Sequence, residues 1–228
     1  MDLDRLTTNP VDTQWVSVSV ERNQQCNLHA GIVHRTGENE VKKLHFGWHR
    51  SLYNYFVTGP VVCAIPDVAK PAHRLWLAVF CGLVADNIPK RNIPYSLKHD
   101  EDVAFDERTG EVKFGNEDSG LNCATFVVAV FRCAGHPLIN SKGWPKASID
   151  DIAIQKQSVR SMLDSSDPDI QQQGRKNSRD IGTPRIRPDH VAGACLEKEA
   201  AGPARFAACE ANSAHVVTAL DSHLACQA

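Results

Sequence analysis

The stretch Ser119 to Gly135, Ser-Gly-Leu-Asn-Cys-Ala-Thr-Phe-Val-Val-Ala-Val-Phe-Arg-Cys-Ala-Gly, limits what this chain can fold into more than any other. Its apolar run carries large side chains at Phe126, Val127, Val130 and Phe131, a spacing that gathers them on one buried side of a helix. Gly135 supplies the stop. Asp118, Ser119 and Asn122 crowd the start with side chains that accept backbone hydrogens, so Cys123 falls in the first turn.

A thiol in that turn sits at the positive end of the helix dipole, which favours the thiolate, and the thiolate is the nucleophile. The free N–H groups of the same turn are placed to hold a developing oxyanion. The plainer reading makes Cys123 one more small buried residue, since free cysteine is among the most buried types.

With 228 residues the chain is long enough to bury a substantial core. A net charge of −2 argues against a nucleic-acid partner, and no apolar run reaches the length of a transmembrane segment. Met-Asp-Leu-Asp-Arg has neither the basic start nor the apolar core of a signal peptide, so the expectation is a chain that is cytoplasmic at synthesis. Any export would use a leaderless route.

The eight cysteines are Cys26, Cys63, Cys81, Cys123, Cys133, Cys195, Cys209 and Cys226, and most are expected to be reduced core residues. A zinc site is the rival reading, because Cys26-x-x-His29 and His223-x-x-Cys226 supply four ligands of the right type. Neither half has the familiar two-cysteine spacing, and neither a metal nor a cofactor is expected.

Residues 1–13 read as a polar lead-in with a turn at Asn9-Pro10. Gln14 to Val20 alternates apolar and polar as a half-buried strand does, and Asn27 to Arg35 is a second strand. A turn over residues 36–40 leads to a returning strand from Val41 to Trp48. His29 and His45 sit on these paired strands, where a histidine is usually an ordinary half-buried side chain. Val61 to Ile65 is a further short strand. Ala72 to Ala85 is a core helix with Leu75, Trp76, Val79, Phe80 and Leu83 on its apolar face. Residues 86–118, with Pro89, Pro94 and a turn at 107–110, form a polar excursion long enough to build part of a substrate cleft or lid.

This order of features resembles the circularly permuted papain-like cysteine hydrolases of the NlpC type, which include YiiX-like proteins and lecithin-retinol acyltransferase. In the unpermuted enzymes the cysteine helix precedes the histidine strand. Here His29 comes before Cys123, as the permuted order requires. The resemblance covers roughly residues 26 to 136 and implies a role for each matching position. His29, in His29-Ala30-Gly31-Ile32-Val33, matches the base, and Cys123, in Asn122-Cys123-Ala124-Thr125, matches the nucleophile. Tyr95, in Ile93-Pro94-Tyr95, resembles the tyrosine that precedes the cysteine segment. The group that orients the base comes from the returning strand. His45 is the choice there, with His49 as a nearby competitor.

The implied chemistry is a thiolate attack on a carbonyl carbon and an acyl-enzyme thioester. The oxyanion would be held at Cys123 N–H and the Tyr95 hydroxyl, with Asn122 beside them. Such a set serves an amidase, a peptidase, a thioesterase or an acyltransferase equally well. The expectation is an amide bond in a peptidoglycan peptide or a protein. A lipid acyl substrate is the alternative, and a non-catalytic binding module on the same fold is the competing class. A toxin delivered into other cells would also be leaderless, and an inhibitory protein partner would then cover the cleft.

Beyond the cysteine helix, Ser148 and Asp151 form a capping box for a helix running to about Leu163. Residues 166–189 read as a flexible loop carrying Arg175, Lys176, Arg179, Arg185 and Arg187. That basic patch is either solvated or a contact for an acidic substrate, a lipid headgroup or a partner. The alanine-rich residues 190–228 read as a helical extension, with no role assigned to His190, His215 or His223. The fold expected is a single α+β domain with its core at about 14–165. A small antiparallel sheet carrying His29 and His45 would pack on the Cys123 helix.

Overall fold

A computed structural model describes residues 2–12, 15–35, 37, 40–68, 70–87, 93–198 and 202–226. The strands are β1 (Leu6–Thr7), β2 (Val16–Arg22), β3 (Leu28–Arg35), β4 (Val41–Trp48), β5 (Ser51–Phe56), β6 (Val62–Ala64), β7 (Ala104–Phe105) and β8 (Val112–Lys113). The helices are α1 (Pro71–Asp86), α2 (Cys123–Cys133), α3 (Ile149–Leu163), α4 (Pro168–Asn177), α5 (Pro188–Ala194) and α6 (Phe206–Ala225). The fold is mixed α+β. An antiparallel sheet of order β1-β6-β2-β3-β4-β5 forms one layer, and α1, α2, α5 and α6 pack on it.

The register decides which side chains meet those helices. Val16, Val18 and Val20 of β2 align with His34, Ile32 and Ala30 of β3, and Ile32 aligns with Leu44 of β4. Val16, Val18, Val20, Ala30, Ile32, Leu44 and Phe46 join the main core with Phe126, Val127, Val130 and Phe131 of α2. The alternate residues Ser17, Ser19, His29, Gly31, Val33, Lys43 and His45 point to the other face. Val33, Val41, Val61 and Cys63 form a second, smaller cluster there. Both faces of β2 are therefore covered, and Val16 to Val20 is buried throughout rather than on alternate residues.

α2 is enclosed on all sides: every residue from Ala124 to Phe131 is buried, not one stripe of them. Its end is closed by His136 N donating to Phe131 O at 2.9 Å and Gly135 N donating to Arg132 O at 3.0 Å. α1 buries Leu77, Phe80, Cys81 and Val84; of the expected face, Phe80 is buried and Trp76 and Leu83 pack against the core, while Leu75 and Val79 face solvent. With apolar residues on every side, its composition does not set the phase of the buried face. β5 was not foreseen. The tight turn at His49 and Arg50 carries no glycine or asparagine, and Arg50 itself adopts φ 57°.

Two expectations for the second half of the chain are corrected. Residues 168–177 form α4 and not a loop: Asp167 accepts from Asp169 N, and Pro168 supplies the fixed φ of a first helical residue. α5 belongs to the core and not to an appendage, since all seven of its residues are buried. The core therefore reaches well past residue 165. α6 lies along α5 and adds Cys209, Val216 and Leu220 to the same core. His190 of α5 is a strut between the two helices, with Nε2 2.5 Å from Glu210 Oε2. α3 begins and ends as expected, with Ser148 and Asp151 in a capping box. Gln14, residues 36, 38 and 39 of the expected turn, and Pro89 lie outside the described residues.

The polar lead-in is fastened to this late core. Arg5 donates from Nη1 and Nη2 to the carbonyls of Cys195, Leu196 and Glu197, at 2.9, 3.2 and 3.2 Å, just past the end of α5. Charge-assisted bonds of this kind are worth about 1.5–3 kcal/mol. Arg5→Ala is expected to lower the unfolding free energy by about 1–3 kcal/mol in urea titrations. Arg160→Ala, which removes an ion pair on the open face of α3, leaves it within about 0.5 kcal/mol.

Candidate active site

The first turn of α2 is held by Asn122. Its Oδ1 accepts from Ala124 N at 3.1 Å and Thr125 N at 3.0 Å, and Thr125 Oγ1 accepts in return from Asn122 N at 2.8 Å. Asn122 Nδ2 donates to Ser96 O at 3.2 Å. The carboxamide expected to bind substrate is thus committed to the cap and positions the helix. Cys123 N–H is left as the one amide of the first turn without a protein acceptor among the described residues.

The thiol meets His29 at a break in the sheet. The β3–β4 ladder ends at Ile32 and Leu44, while β3 stays paired with β2 as far as Leu28 and Arg22. Beyond that point the α2 tip reaches β3. Ala30 N–H donates to the Cys123 sulfur, and Cys123 and His29 share a hydrogen bond. His29 Nε2 lies 2.6 Å from His45 Nδ1, so Nδ1 is the ring nitrogen left for Cys123. Gly31 makes this pairing possible, since a Cβ there would sit 3.0 Å from the Cβ of His45.

The electrostatics differ sharply between the two histidines. Burial works against a charged His29, but the charge of Cys123 and the hydrogen bond to it outweigh that loss, and Glu21 adds to them. His29 is held above the ordinary histidine value. Burial likewise opposes the Cys123 thiolate. His29, the Ala30 N–H and the Arg185 guanidinium together pull the thiol below its usual range. His45 is pushed down to about 3 by burial and by the neighbouring His29 and Lys43 charges, so it stays neutral. When His29 is charged, neutral His45 accepts at Nδ1 from His29 Nε2–H and carries its own proton at Nε2.

Tyr95 stands on the other side of Cys123. Its N–H donates to His49 Nδ1 at 3.2 Å, and its carbonyl accepts from Gln173 Nε2 at 2.8 Å and Asn177 Nδ2 at 2.9 Å. His49 Nε2 lies 2.8 Å from Asp169 Oδ2. His49 therefore positions the Tyr95 backbone and does not touch His29. Burial and the nearby Cys123 charge raise the Tyr95 phenol to about 12, so it remains a donor.

These residues border a cleft of about 690 Å³ between the sheet and α3. His29, His45, Cys123 and Tyr95 all line it, together with Trp48 and Tyr53 from β4 and β5. α3 contributes Ile154, Gln157, Ser158 and Ser161. Arg185 also lines it, and so belongs to the basic stretch expected to be either solvated or a contact for a substrate or partner. Nothing in the local sequence separates Arg185 from its basic neighbours. His34, the remaining histidine of the strands, bonds Asn54 Oδ1 at 3.0 Å and plays no part in the cleft.

All eight cysteines are free, and Cys63, Cys81, Cys195 and Cys209 are buried. Burial raises the thiols of Cys63, Cys81 and Cys209 to about 12 and that of Cys195 further. Among the described residues, no three histidine, cysteine or carboxylate side chains converge as a metal site. No family model, curated protein or solved structure matches the chain.

The shifts fix the pH behaviour of the thiol. Lowering the Cys123 value moves the rise of its alkylation rate by iodoacetamide below the pH range of an ordinary free thiol. His29→Ala removes the partner charge and hydrogen bond while leaving burial, so the rise moves to higher pH. Peptide mass spectrometry across pH 5 to 10 reads both.

Proposed function

We propose that the chain is a thiol hydrolase of permuted papain-like architecture that cleaves an amide bond through a Cys123 acyl-enzyme. The observation that carries this reading is the single His29 ring shared between Cys123 and a neutral His45. A buried cysteine with only a structural role has no need of a raised histidine beside it or of a second histidine holding the first.

In this mechanism His29 takes the Cys123 proton to give imidazolium and thiolate, a transfer that both shifts favour. The sulfur attacks the carbonyl carbon, and the carbonyl π electrons move onto oxygen. Cys123 N–H and the Tyr95 hydroxyl stabilise that oxyanion. His29 then gives its proton to the departing nitrogen as the C–N bond breaks, leaving a thioester. Neutral His29 next takes a proton from water, whose oxygen attacks the thioester carbon and releases the acid and the thiolate. His45 accepts from Nε2–H of His29 throughout and keeps Nδ1 aimed at sulfur.

The cleft favours a peptide-like substrate over an acyl chain. Its walls carry the carboxamides of Gln24, Gln25, Asn27 and Gln157 and the hydroxyls of Ser158 and Ser161, interrupting any continuous apolar channel. Peptide bonds can be matched donor to acceptor along such walls.

A panel of peptidoglycan-derived and protein-derived peptides, with acyl lipids as the comparison set, tests the proposal by product and intact-mass analysis. Peptides are expected to yield new amines and an acyl adduct on Cys123. Cys123→Ala should lower turnover by about 10³-fold or more, and His45→Ala by about 10²-fold through misaligned His29. Turnover by Cys123→Ala equal to the parent chain would reject the mechanism.

A further inference from the structure

One charged side chain of the cleft, beyond its pull on the Cys123 thiol, makes no contact with the reacting atoms in this mechanism. Arg185 precedes α5 and lines both the main cleft and a smaller recess of about 40 Å³ beside Cys123 and Tyr95. Its position is fixed from two sides. Nη1 donates to Asp151 Oδ1 at 2.9 Å, and the Arg185 carbonyl accepts from Trp144 Nε1 at 3.1 Å. Asp151 is itself anchored, because its Oδ2 accepts from Ser148 Oγ at 2.9 Å and from Ser148 N at 3.3 Å.

The side chain is only 18% exposed, yet Nε and Nη2 have no protein acceptor among the described residues. The neighbouring polar groups of the recess are already occupied. Gln155 donates to Thr183 O and accepts from Gly182 N, and Asn122 is committed to the helix cap. The recess thus presents one edge of a pre-oriented guanidinium next to the reacting sulfur. The Nε and Nη2 edge of arginine matches the two oxygens of a carboxylate. Asp151 neutralises the charge of Arg185 from the far edge, so recognition there depends on paired hydrogen bonds in fixed geometry more than on net field.

We infer that Arg185 selects the substrate: the compound cleaved by Cys123 carries a carboxylate close to the scissile carbonyl, and Arg185 Nε and Nη2 bind it. The carboxylate belongs to an acidic residue or to a chain terminus at the cleavage point. This rests on Cys123 acting as the nucleophile proposed above.

Iodoacetate and iodoacetamide test it without a known substrate. Each forms the same S–C bond at Cys123 with loss of iodide, and they differ in a carboxylate or a carboxamide beside the reacting carbon. Because both draw on one thiolate, the ratio of their rates cancels any change in Cys123 ionisation. In Arg185→Gln the iodoacetate to iodoacetamide ratio is expected to fall about tenfold, with partial recovery in Arg185→Lys. The unaltered chain gives an independent reading should the variants fail to fold: iodoacetate alkylation saturates with reagent concentration while iodoacetamide alkylation stays linear.

A ratio unchanged in both variants, or linear kinetics with both reagents in the unaltered chain, overturns the inference and leaves Arg185 a strut for α3. Ordinary iodoacetamide labelling of Cys123 accompanies that result if the nucleophile stands. Failure of iodoacetamide to label Cys123 ahead of exposed Cys26 and Cys226 instead overturns the nucleophile, and this inference with it.

Discussion

The structure depends on burying α2 completely while leaving its first turn accessible. A helix buried from Ala124 to Phe131 has no freedom to slide or rotate in the core, so the position of its tip is set by packing along its whole length. Asn122 and Thr125 then satisfy the amides of Asn122, Ala124 and Thr125 at that tip and leave Cys123 N–H open. Cys123 stands at the end of a rigid rod, half-buried, opposite the point where β3 and β4 part. Losing the cap would leave buried donors unsatisfied at the same place as the chemistry.

Around this tip, similar side chains are made to behave differently by their surroundings. Cys63 and Cys123 are both thiols close to the sheet, yet burial prevails at the first, while at the second His29, the Ala30 N–H and Arg185 together outweigh it. His29 and His45 touch, and they divide the work of one base between a chargeable ring and a neutral one. Lys43 contributes to that division. It is 2% exposed, paired with Glu21 at 2.5 Å, and its charge presses both rings toward the neutral form. Glu21 counters it at His29. The ion pair therefore acts as a local bias on the two rings, beyond anything it adds to stability.

Local chemistry made some of this readable in the chain. Ser148 and Asp151 place the start of α3 by hydrogen bonds between residues three apart, and Asn122 places Cys123 in the same way. The strand bearing His29 announces itself by Ile32 and Val33, and the one bearing His45 by Val41, Phe46 and Trp48. What was not readable depends on partners far away. Pro188 to Ala194 is a short run of mostly small residues whose burial follows from the close approach of α6, where a Cβ on Gly193 would lie 2.9 Å from the Cys209 carbonyl. α4 is rich in glutamine and poor in apolar residues, a composition that reads as loop, although Asp167-Pro168 carries the signals of a helix start. Arg185 gains its meaning only from Asp151, thirty-four positions earlier, and from the cleft they share.

The two hydrogen bonds that α4 makes to the Tyr95 carbonyl have a consequence for the order in which the molecule is made. His29 and Cys123 leave the ribosome early, but the residues that fix Tyr95 arrive at positions 173 and 177, and α5, which fills the core beneath the sheet, follows them. Contacts so distant in sequence close late and slowly. A nascent chain ending before α4 already holds the thiol and the imidazole but lacks the clamp on Tyr95 and the Arg185 edge of the cleft. Completion of the reactive centre is thereby coupled to completion of the domain, and the growing polypeptide carries its thiol through most of synthesis without a finished pocket around it.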